Sequence, residues 1–315
     1  MRTALVGLVA GAAALCASTG ALAAQGGSDA ARDAFVKGDL AHASSLADAA
    51  HDGWIGGLAA FKQKNFADAL ARFGAVASDA TQTDARRAAA GYWASRAAEK
   101  AGDASQGDAF LKTAAAFPHT FYGMIAARRI ALATGVESAR QAALSLAALP
   151  KPELAPAGGF TIAKALVYAI VLKESRFNTN AHGGAAWGLM QLTPGTAASV
   201  SGDRRFASNP QRLHDASTNL QVGQTYVAKL LALAKGDLLR GLAAYNVGPA
   251  ALVRASSDGD SLMALESLPG AAAREYVQKV MTAYWSYRQA FGKTSSPTLD
   301  AAASGGKIVL ASLDD

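Results

Sequence analysis

The chain has 315 residues, of which 51% are hydrophobic and 17% charged, and its formal net charge is +6. This apolar content excludes disorder for most of the chain, and at roughly 150 residues per domain the length predicts two domains. The positive charge is mild and forms no Lys/Arg block, so nucleic acid is not expected as a partner. The single cysteine, Cys16, excludes a disulfide framework, and the five histidines lack the i,i+4 pairing of a metal site, so neither a metal nor another cofactor is expected.

The first 24 residues are predicted to be a secretory signal peptide. Arg2 precedes an apolar run over residues 4–15, and the small-residue pattern of a cleavage site follows at residues 21–24. The run is short for a membrane span. Two alternatives are an uncleaved N-terminal anchor and a lipid attached at Cys16, which is disfavoured because Leu15 stands where a small residue is needed. Cleavage would give a soluble, exported protein.

Residues 25–135 are Ala-rich and carry a recurring helix–turn–helix theme. The turns Gly38-Asp39, Lys64-Asn65 and Gly102-Asp103 each separate two helical stretches, and the last residue of each turn is predicted to cap the second helix. The period is irregular, since 26 residues separate the first two copies and 38 the next two. The theme is typical of an α-solenoid of tetratricopeptide type, and an ordinary helical bundle is the alternative.

The rest of the chain is also predicted to be mainly helical. A break at Pro118 precedes a helix over residues 122–134, and prolines and glycines at residues 136–158 predict a linker. Residues 159–292 show helical periodicity and form the second predicted domain. Residues 293–315 are rich in Ser, Gly and Ala and are predicted to be a flexible tail. The fold class is therefore all-α: an N-terminal α-solenoid followed by a second helical domain.

One carboxylate of the second domain falls on an apolar helix face. Glu174 lies seven residues after Val167 and four after Ile170, which places it within about 40° of each of them on a helix. Burial raises the pKa of such a carboxyl group, as a general acid at neutral pH requires. The alternative is a glutamate that reaches solvent at the helix end or pairs with Lys173 or Arg176.

Three further motifs follow in the same domain. Gly188-Leu189-Met190-Gln191 is a glycine-flanked apolar pair with one amide. Tyr245-Asn246 stands at a helix end stopped by Gly248-Pro249, which brings a phenol and an amide near one point. Arg274-Glu275-Tyr276-Val277 lies on the last long predicted helix.

Together with Glu174-Ser175, these motifs resemble the four signatures of the catalytic domain of the soluble lytic transglycosylases, bacterial peptidoglycan-cleaving enzymes with a lysozyme-like fold. The resemblance covers residues 159–292; each motif is short, but all four occur in the family's order. The Ala-rich region, including residues 118–123, resembles the helical superhelix that precedes this domain in the large periplasmic members, although it is shorter here.

The resemblance implies cleavage of the β-1,4 bond between N-acetylmuramic acid and N-acetylglucosamine, with a 1,6-anhydromuramoyl product. Glu174 would be the single general acid and base, because the nucleophile is the sugar's own 6-hydroxyl. Other glycosidases use a second carboxylate, for which Asp203, Asp215 and Glu266 remain candidates.

The resemblance also implies six substrate-binding positions: Ser175, Met190, Gln191, Tyr245, Asn246 and Tyr276. Met190 and Gln191 would line the glycan groove, with Gln191 bonding to an acetamido sugar. Tyr245 would contact Glu174 or the sugar, and Asn246 would hold the loop or the substrate. Helix capping is the alternative for Ser175, and core packing is the alternative for Met190 and Tyr276. Trp187 is either a sugar-stacking ring or a packing residue.

The sequence departs from the family pattern at several positions. His182-Gly183-Gly184 replaces the usual Ser-Pro-like turn, and Thr193 stands where many members have Met. Ala272 precedes Arg274 at a position where the family often has a carboxylate. An acid that would help to position the substrate is therefore expected to be missing.

Two other functions are compatible with the same residues. A hydrolase of the goose-lysozyme type would use water in place of the 6-hydroxyl, and a non-catalytic scaffold would bind peptidoglycan without cleaving it. In each case the expected partner is a peptidoglycan glycan strand. The resemblance further implies a periplasmic monomer, which could associate with the outer membrane or bind cell-wall proteins through its helical-repeat region.

Overall fold

The computed structural model describes residues 27–136, 149–250, 259–293 and 295–310, so the predicted signal peptide lies outside the described residues. The chain divides into two compact units, one ending at Ala114 and the other beginning at Ala115. The described part of the chain contains no helix long and apolar enough to cross a membrane.

The first unit is built from helices that follow one another with short turns. Residues 27–37 are helical and are numbered α1. The following helices have these bounds: α2 Leu40–Ala49, α3 Gly53–Lys62, α4 Phe66–Ser78, α5 Asp84–Ala101 and α6 Ala104–Ala115. From α2 to α5, each helix packs on the next.

Local hydrogen bonds begin these helices as the sequence predicts. The side chains of Asp39, Asn65 and Asp103 each accept a bond from the backbone N–H three residues later, at 3.2, 3.4 and 2.9 Å. Such caps satisfy N–H groups that the first helical turn leaves unpaired. The three predicted helix–turn–helix caps are therefore confirmed.

Aromatic rings and small residues fill the core of the first unit. The rings of Trp54 and Phe73 pack edge to face at 5.5 Å, as do those of Phe61 and Trp93 at 5.1 Å. A Cβ atom on Gly57 would lie only 2.6 Å from the Phe73 ring. Helices α3 and α4 can approach so closely because that side chain is absent.

The second unit is also helical, apart from one short antiparallel hairpin. Its helices are α7 Phe121–Thr134, α8 Lys164–Ser175, α9 Pro194–Ser201, α10 Arg205–Ser208, α11 Ala216–Leu233, α12 Leu238–Val247, α13 Ser261–Glu266, α14 Ala271–Ala290 and α15 Pro297–Ala303. A 3₁₀ helix over Pro210–His214 precedes α11. The hairpin pairs β1 (His182–Gly183) with β2 (Ala186–Trp187).

Helix α14 is the centre of this unit. It packs against α7, α8 and α12, and it buries Tyr276, Val280 and Trp285. The predicted helix at residues 122–134 is present as α7, but α7 falls in the second unit rather than with the repeats to which the sequence assigned it. The all-α fold class is confirmed.

The segments predicted to be a linker and a tail are packed where the structure describes them. In the predicted linker, the carbonyl oxygens of Pro150 and Pro152 accept hydrogen bonds from Tyr287 and Tyr168. In the predicted flexible tail, α15 packs on α7 and buries Leu299. The tail therefore differs from its prediction up to residue 310, because its few apolar residues are spaced to fit the core.

After α15 the chain returns to the start of α12. The Leu238 N–H donates to the Ile308 carbonyl at 2.9 Å, and Asp237 forms an isolated bridge with Val309. Ile308 itself is fully buried. Residues 308–309 therefore pack against the first turn of the helix that ends in Tyr245-Asn246.

Candidate active site

Glu174 lies in the last turn of α8, where the chain makes an abrupt change of direction. Arg176 and Phe177 both have positive φ angles, 51° and 66°, which L-residues other than glycine seldom adopt. The Phe177 ring packs on Tyr168 at 5.5 Å. The helix therefore ends immediately beyond the carboxylate.

Burial gives Glu174 the electrostatics of a proton donor. The side chain is half-buried, and loss of solvent raises the pKa of its carboxyl group above the ordinary value. The Tyr276 hydroxyl and the Lys173 ammonium both act to lower that pKa, but burial has the larger effect. A raised pKa keeps more of the group protonated near neutral pH, as general acid catalysis requires.

Two tyrosines stand beside this carboxylate. The rings of Tyr245 and Tyr276 are stacked, with centroids 6.4 Å apart and planes 10° from parallel, and Tyr226 packs on Tyr245 at 5.4 Å. Burial and the nearby charge of Glu174 raise the pKa of both the Tyr245 and Tyr276 phenols well above the usual range. Both hydroxyls therefore remain protonated and can act as hydrogen-bond donors.

The two hydroxyls are used differently. Tyr245 donates to the main-chain carbonyl of Met190 at 2.7 Å. The Tyr276 hydroxyl is buried, and no acceptor among the described residues meets it in good hydrogen-bond geometry. It still lies near enough to Glu174 to lower the pKa of that carboxyl group. Tyr245 is thus tied to the neighbouring loop, while the Tyr276 hydroxyl interacts with the carboxylate.

The loop of residues 187–191 is held by one buried amide, Asn219 on α11. Its Oδ1 accepts from the Met190 N–H at 2.9 Å, and its Nδ2 donates to the carbonyls of Trp187 and Leu213 at 3.0 and 2.8 Å. Gly188 has a φ of 73°, and a Cβ there would lie 2.0 Å from the Leu213 carbonyl oxygen. Only glycine allows this approach.

The remaining predicted residues have mixed placements. The Ser175 hydroxyl donates to the Val171 carbonyl of its own helix at 3.2 Å, and Asn246 is exposed beside Tyr245. The Gln191 amide nitrogen donates to the carbonyls of Ala181 and Gly188, so it closes the loop in this structure. The Met190 side chain is fully buried, which agrees with core packing, the alternative to a place in the glycan groove. It packs there because Gly223 leaves room for its sulfur.

Trp187 lies between two imidazoles. Its ring centroid is 4.0 Å from that of His182 and 5.1 Å from that of His214. The indole is half-buried, and His214 is itself fixed by a hydrogen bond to the Thr179 carbonyl. Both interpretations of Trp187, sugar stacking and packing, remain compatible with this arrangement.

The three candidate second carboxylates are engaged in other interactions. Asp203 pairs with Arg205 and Arg212 at 2.8 and 2.9 Å, and these hydrogen bonds lower the pKa of its carboxyl group strongly. Asp215 caps α11 by accepting from the Thr218 N–H.

Glu266 is buried and accepts a hydrogen bond from the Tyr122 hydroxyl at 2.7 Å. Of the candidate acids, Glu174 is therefore the one placed beside Tyr245 and Tyr276. Among the residues described, no group of three or more His, Cys, Asp or Glu side chains could hold a metal ion.

Sequence reasoning missed Asn219 and Gly223, although both left a weak signal. They lie four residues apart on α11, and therefore on one face of that helix. A glycine in a helix interior costs about 1 kcal/mol relative to alanine, so its presence indicates close packing. Nothing in the sequence, however, indicates that Asn219 and Gly223 both contact Met190.

This helical unit, with one half-buried carboxylate beside two stacked phenols, can be compared with known domains. Residues 154–263 match the family model described as the transglycosylase SLT domain. This segment is therefore similar to the SLT domain family, and the resemblance predicted from the four motifs is confirmed.

Curated relatives agree with this assignment. The soluble lytic murein transglycosylase of Escherichia coli K12 is 31% identical over 158 residues, which is 47% of this chain and 24% of the relative. The enzyme of the same name from Salmonella typhimurium LT2 is 28% identical over 144 residues, 43% of this chain and 22% of the relative. The chain thus spans about a quarter of the length of these relatives.

Solved structures share the fold. One is an inactive glutamate-to-glutamine mutant of lytic transglycosylase Slt from Pseudomonas aeruginosa, with a TM-score of 0.62 and 19% identity over 81% of this chain and 55% of that one. Another is a complex of the 70-kDa soluble lytic transglycosylase with bulgecin A, with a TM-score of 0.62 and 18% identity over 85% of this chain and 56% of that one. At these identities the likeness shows the fold alone.

Proposed function

We propose that this protein is a peptidoglycan lytic transglycosylase, which cleaves the β-1,4 bond between N-acetylmuramic acid and N-acetylglucosamine and leaves a 1,6-anhydromuramoyl end. The observation that carries the proposal is Glu174, half-buried with a raised pKa beside two protonated tyrosines. The SLT domain match and the names of the curated relatives support the same reaction. The structural neighbour inactivated by a glutamate-to-glutamine change supports dependence on one glutamate.

In the first step, protonated Glu174 donates its proton to the glycosidic oxygen. The bond between that oxygen and the anomeric carbon of N-acetylmuramic acid breaks, and positive charge develops on the sugar ring. The resulting Glu174 carboxylate stabilises that charge at close range. A raised pKa supports this step because a large fraction of the enzyme then carries the required proton.

In the second step, the 6-hydroxyl oxygen of the same sugar attacks the anomeric carbon. The Glu174 carboxylate accepts the hydroxyl proton, so the 1,6-anhydro ring closes and the enzyme returns to its starting state without consuming water. The nucleophile belongs to the substrate, which gives it a high effective concentration. No second carboxylate is then needed, in keeping with the other interactions of Asp203, Asp215 and Glu266.

Several residues are proposed to position the glycan strand. Asn246 is exposed beside Tyr245 and could bond to substrate directly. Gln191 could offer its amide oxygen to an acetamido group, since its amide nitrogen already donates to two carbonyls. The Tyr276 hydroxyl lies beside Glu174. Ser175, at the end of α8, would support the helix end that carries Glu174.

The proposed setting is the periplasm. The signal peptide at residues 1–24 would direct export and would then be cleaved. Residues 25–135 are proposed to be a helical-repeat region in front of the catalytic domain, which could bind cell-wall proteins. We expect the enzyme to act as a monomer on peptidoglycan strands.

The decisive experiment is mass spectrometry of muropeptides released from purified sacculi by the exported protein. Products lighter by one water than their reducing-end equivalents are expected. Reducing ends would instead indicate a goose-type muramidase. Sacculus binding without any release would indicate a non-catalytic scaffold.

Glu174→Gln should lower the release rate at least about 100-fold, because a positioned general acid contributes roughly that factor or more. The matched control is Glu275→Gln on α14, since Glu275 is exposed and forms an ion pair with Lys279. The control should retain its activity and its fold. Normal cleavage by Glu174→Gln would rule out the proposed mechanism.

A further inference from the structure

Helix α11 contacts the loop of residues 187–191 through two residues one turn apart. Asn219 has no exposed surface, and its side chain bonds both to the Met190 N–H and to the Trp187 carbonyl within that loop. One turn later, a Cβ on Gly223 would lie 2.1 Å from the Met190 sulfur. The helix therefore fixes Met190 through its main chain and accommodates its side chain.

The amide of Asn219 is used almost to its capacity. Its oxygen accepts one bond and its nitrogen donates two, to main-chain groups at residues 187, 190 and 213. A buried amide that loses such partners leaves unsatisfied polar groups, which is unfavourable. Gly188 lies against the same amide, since a Cβ there would be 2.3 Å from the Asn219 nitrogen. Little alternative packing is available to this part of the loop.

The other main-chain group of Met190 leads to the candidate catalytic carboxylate. The Met190 carbonyl accepts the hydrogen bond of Tyr245 at 2.7 Å. Tyr245 is close enough to Glu174 that the negative charge of Glu174 raises the pKa of the phenol. Asn219 thus fixes the N–H of Met190, and the carbonyl of Met190 in turn fixes the hydroxyl of Tyr245.

We propose that Asn219 is a positioning residue for the reaction at Glu174: it fixes the Met190 main chain so that the Met190 carbonyl holds the Tyr245 hydroxyl beside the carboxylate. This inference rests on the proposed function, because the reaction at Glu174 is itself proposed. Asn219 is a positioning residue rather than a catalytic one, since it touches neither the substrate nor Glu174. It assigns to a buried amide on α11 a role in turnover as well as in stability.

Gln224 provides a matched comparison within the same helix. It is also fully buried, its Oε1 accepts from the Thr161 N–H at 2.9 Å, and its Nε2 donates to the Gly159 carbonyl at 2.8 Å. It fixes the segment before α8 and makes no bond to residues 187–191. A residue that only stabilises the fold should behave as Gln224 does.

The test is a double-mutant cycle with Asn219→Ala, Tyr245→Phe and the combined variant, with Gln224→Ala as the control. Turnover of soluble, uncrosslinked glycan strands gives kcat and KM, and chemical denaturation gives the free energy of unfolding for each variant. If Asn219 acts through the Tyr245 hydroxyl, the losses of kcat in Asn219→Ala and Tyr245→Phe are not additive in the combined variant. Displacement of a group by about 1 Å can lower a rate up to about 100-fold.

We expect Asn219→Ala to lower kcat about 10- to 100-fold with little change in KM. The combined variant should be no slower than Tyr245→Phe alone, and Gln224→Ala should lose stability but keep its kcat. Additive losses, or equal kcat values for the Asn219 and Gln224 variants, would overturn the inference. If Asn219→Ala does not fold, Asn219→Ser, which keeps a smaller polar group at this position, replaces it in the cycle.

The cycle separates failure of this inference from failure of the proposed function. If the unmodified enzyme releases no 1,6-anhydro products, the proposed function fails and the cycle has no reference rate. If the unmodified enzyme releases those products but the cycle shows additive losses, the function stands and Asn219 is a structural residue only.

Discussion

The helices of the first unit and the loop beside Glu174 are stabilised by hydrogen bonds that span very different numbers of residues. Asp39, Asp52 and Asn65 bond to backbone N–H groups two or three residues away. Beside Glu174, the bond from Met190 to Asn219 spans 29 residues and the bond from Tyr245 to Met190 spans 55. Changes in the first region should therefore have small, local effects, whereas changes around Met190 should disturb several elements together.

The largest expected effect is that of Gly188→Ala. The new Cβ would lie 2.0 Å from the Leu213 carbonyl oxygen and 2.3 Å from the Asn219 amide, so the loop must move. We expect a loss of roughly 4 kcal/mol or more in the free energy of unfolding, together with loss of glycan cleavage. Urea denaturation and the sacculus assay measure the two effects.

Gly184→Ala is the control for backbone conformation. Gly184 also has a positive φ, 60°, but nothing lies within 4 Å of its Cβ position. This change should cost only about 1–2 kcal/mol. If the two variants were equally stable, the contact of Gly188 with Asn219 would be unimportant.

The next effect concerns the tail. Leu299 on α15 is buried within the second unit, and its replacement by alanine should cost about 3 kcal/mol because a cavity remains. Leu132→Ala on α7 is the control, since that side chain is 48% exposed and should change stability by less than about 0.5 kcal/mol. Equal unfolding free energies for these two variants would show that α15 does not contribute to the core.

A smaller effect is expected from a helix cap in the first unit. Asp52 accepts bonds from the N–H groups of Trp54 and Ile55, both at 3.0 Å, so Asp52→Ala should cost about 1 kcal/mol. Asp108→Ala, at an exposed position within α6, should stay within about 0.5 kcal/mol of the unmodified protein. Glycan cleavage should be unchanged in both, and its loss in Asp52→Ala would contradict the idea that first-unit changes stay local.

The smallest expected effect is a shift in the pH dependence of glycan cleavage. Activity requires protonated Glu174, so it should fall as pH rises through the pKa of that group. The Tyr276 hydroxyl lowers this pKa, so Tyr276→Phe should raise it and move the falling side of the profile to higher pH. Lys173→Gln should shift the profile in the same direction, since the positive charge of Lys173 also lowers the pKa of Glu174. A shift to lower pH would mean that Tyr276 does not act on the carboxylate as described.

The parts of the structure that depend on neighbouring residues could be predicted from the sequence. The caps at Asp39, Asn65 and Asp215 are local patterns, and the structure contains each of them. The partial burial of Glu174 followed from its place on an apolar helix face, but its neighbours Tyr245 and Tyr276 came only from the family resemblance. Periodicity along one helix says nothing about which other helices it meets.

The parts that depend on distant contacts were missed or misassigned. Asn219 looks like any polar residue in the first turn of a helix until its bonds to residues 187, 190 and 213 are known. The sequence left Met190 either in the glycan groove or in the core, and only the contact with Gly223 shows the space that the core provides for it. The tail appeared unstructured because its composition is small and polar, although Leu299 and Ile308 are buried in the core.

The position of α15 has a consequence for the order in which the chain can fold. Arg128 on α7 pairs with Asp300 on α15, 172 residues later, and the start of α12 bonds to Ile308. Contacts so far apart in sequence form late, because a long segment must first be ordered between them. Helices α2 to α5 can pair as they are synthesised, whereas α7 must wait for α15.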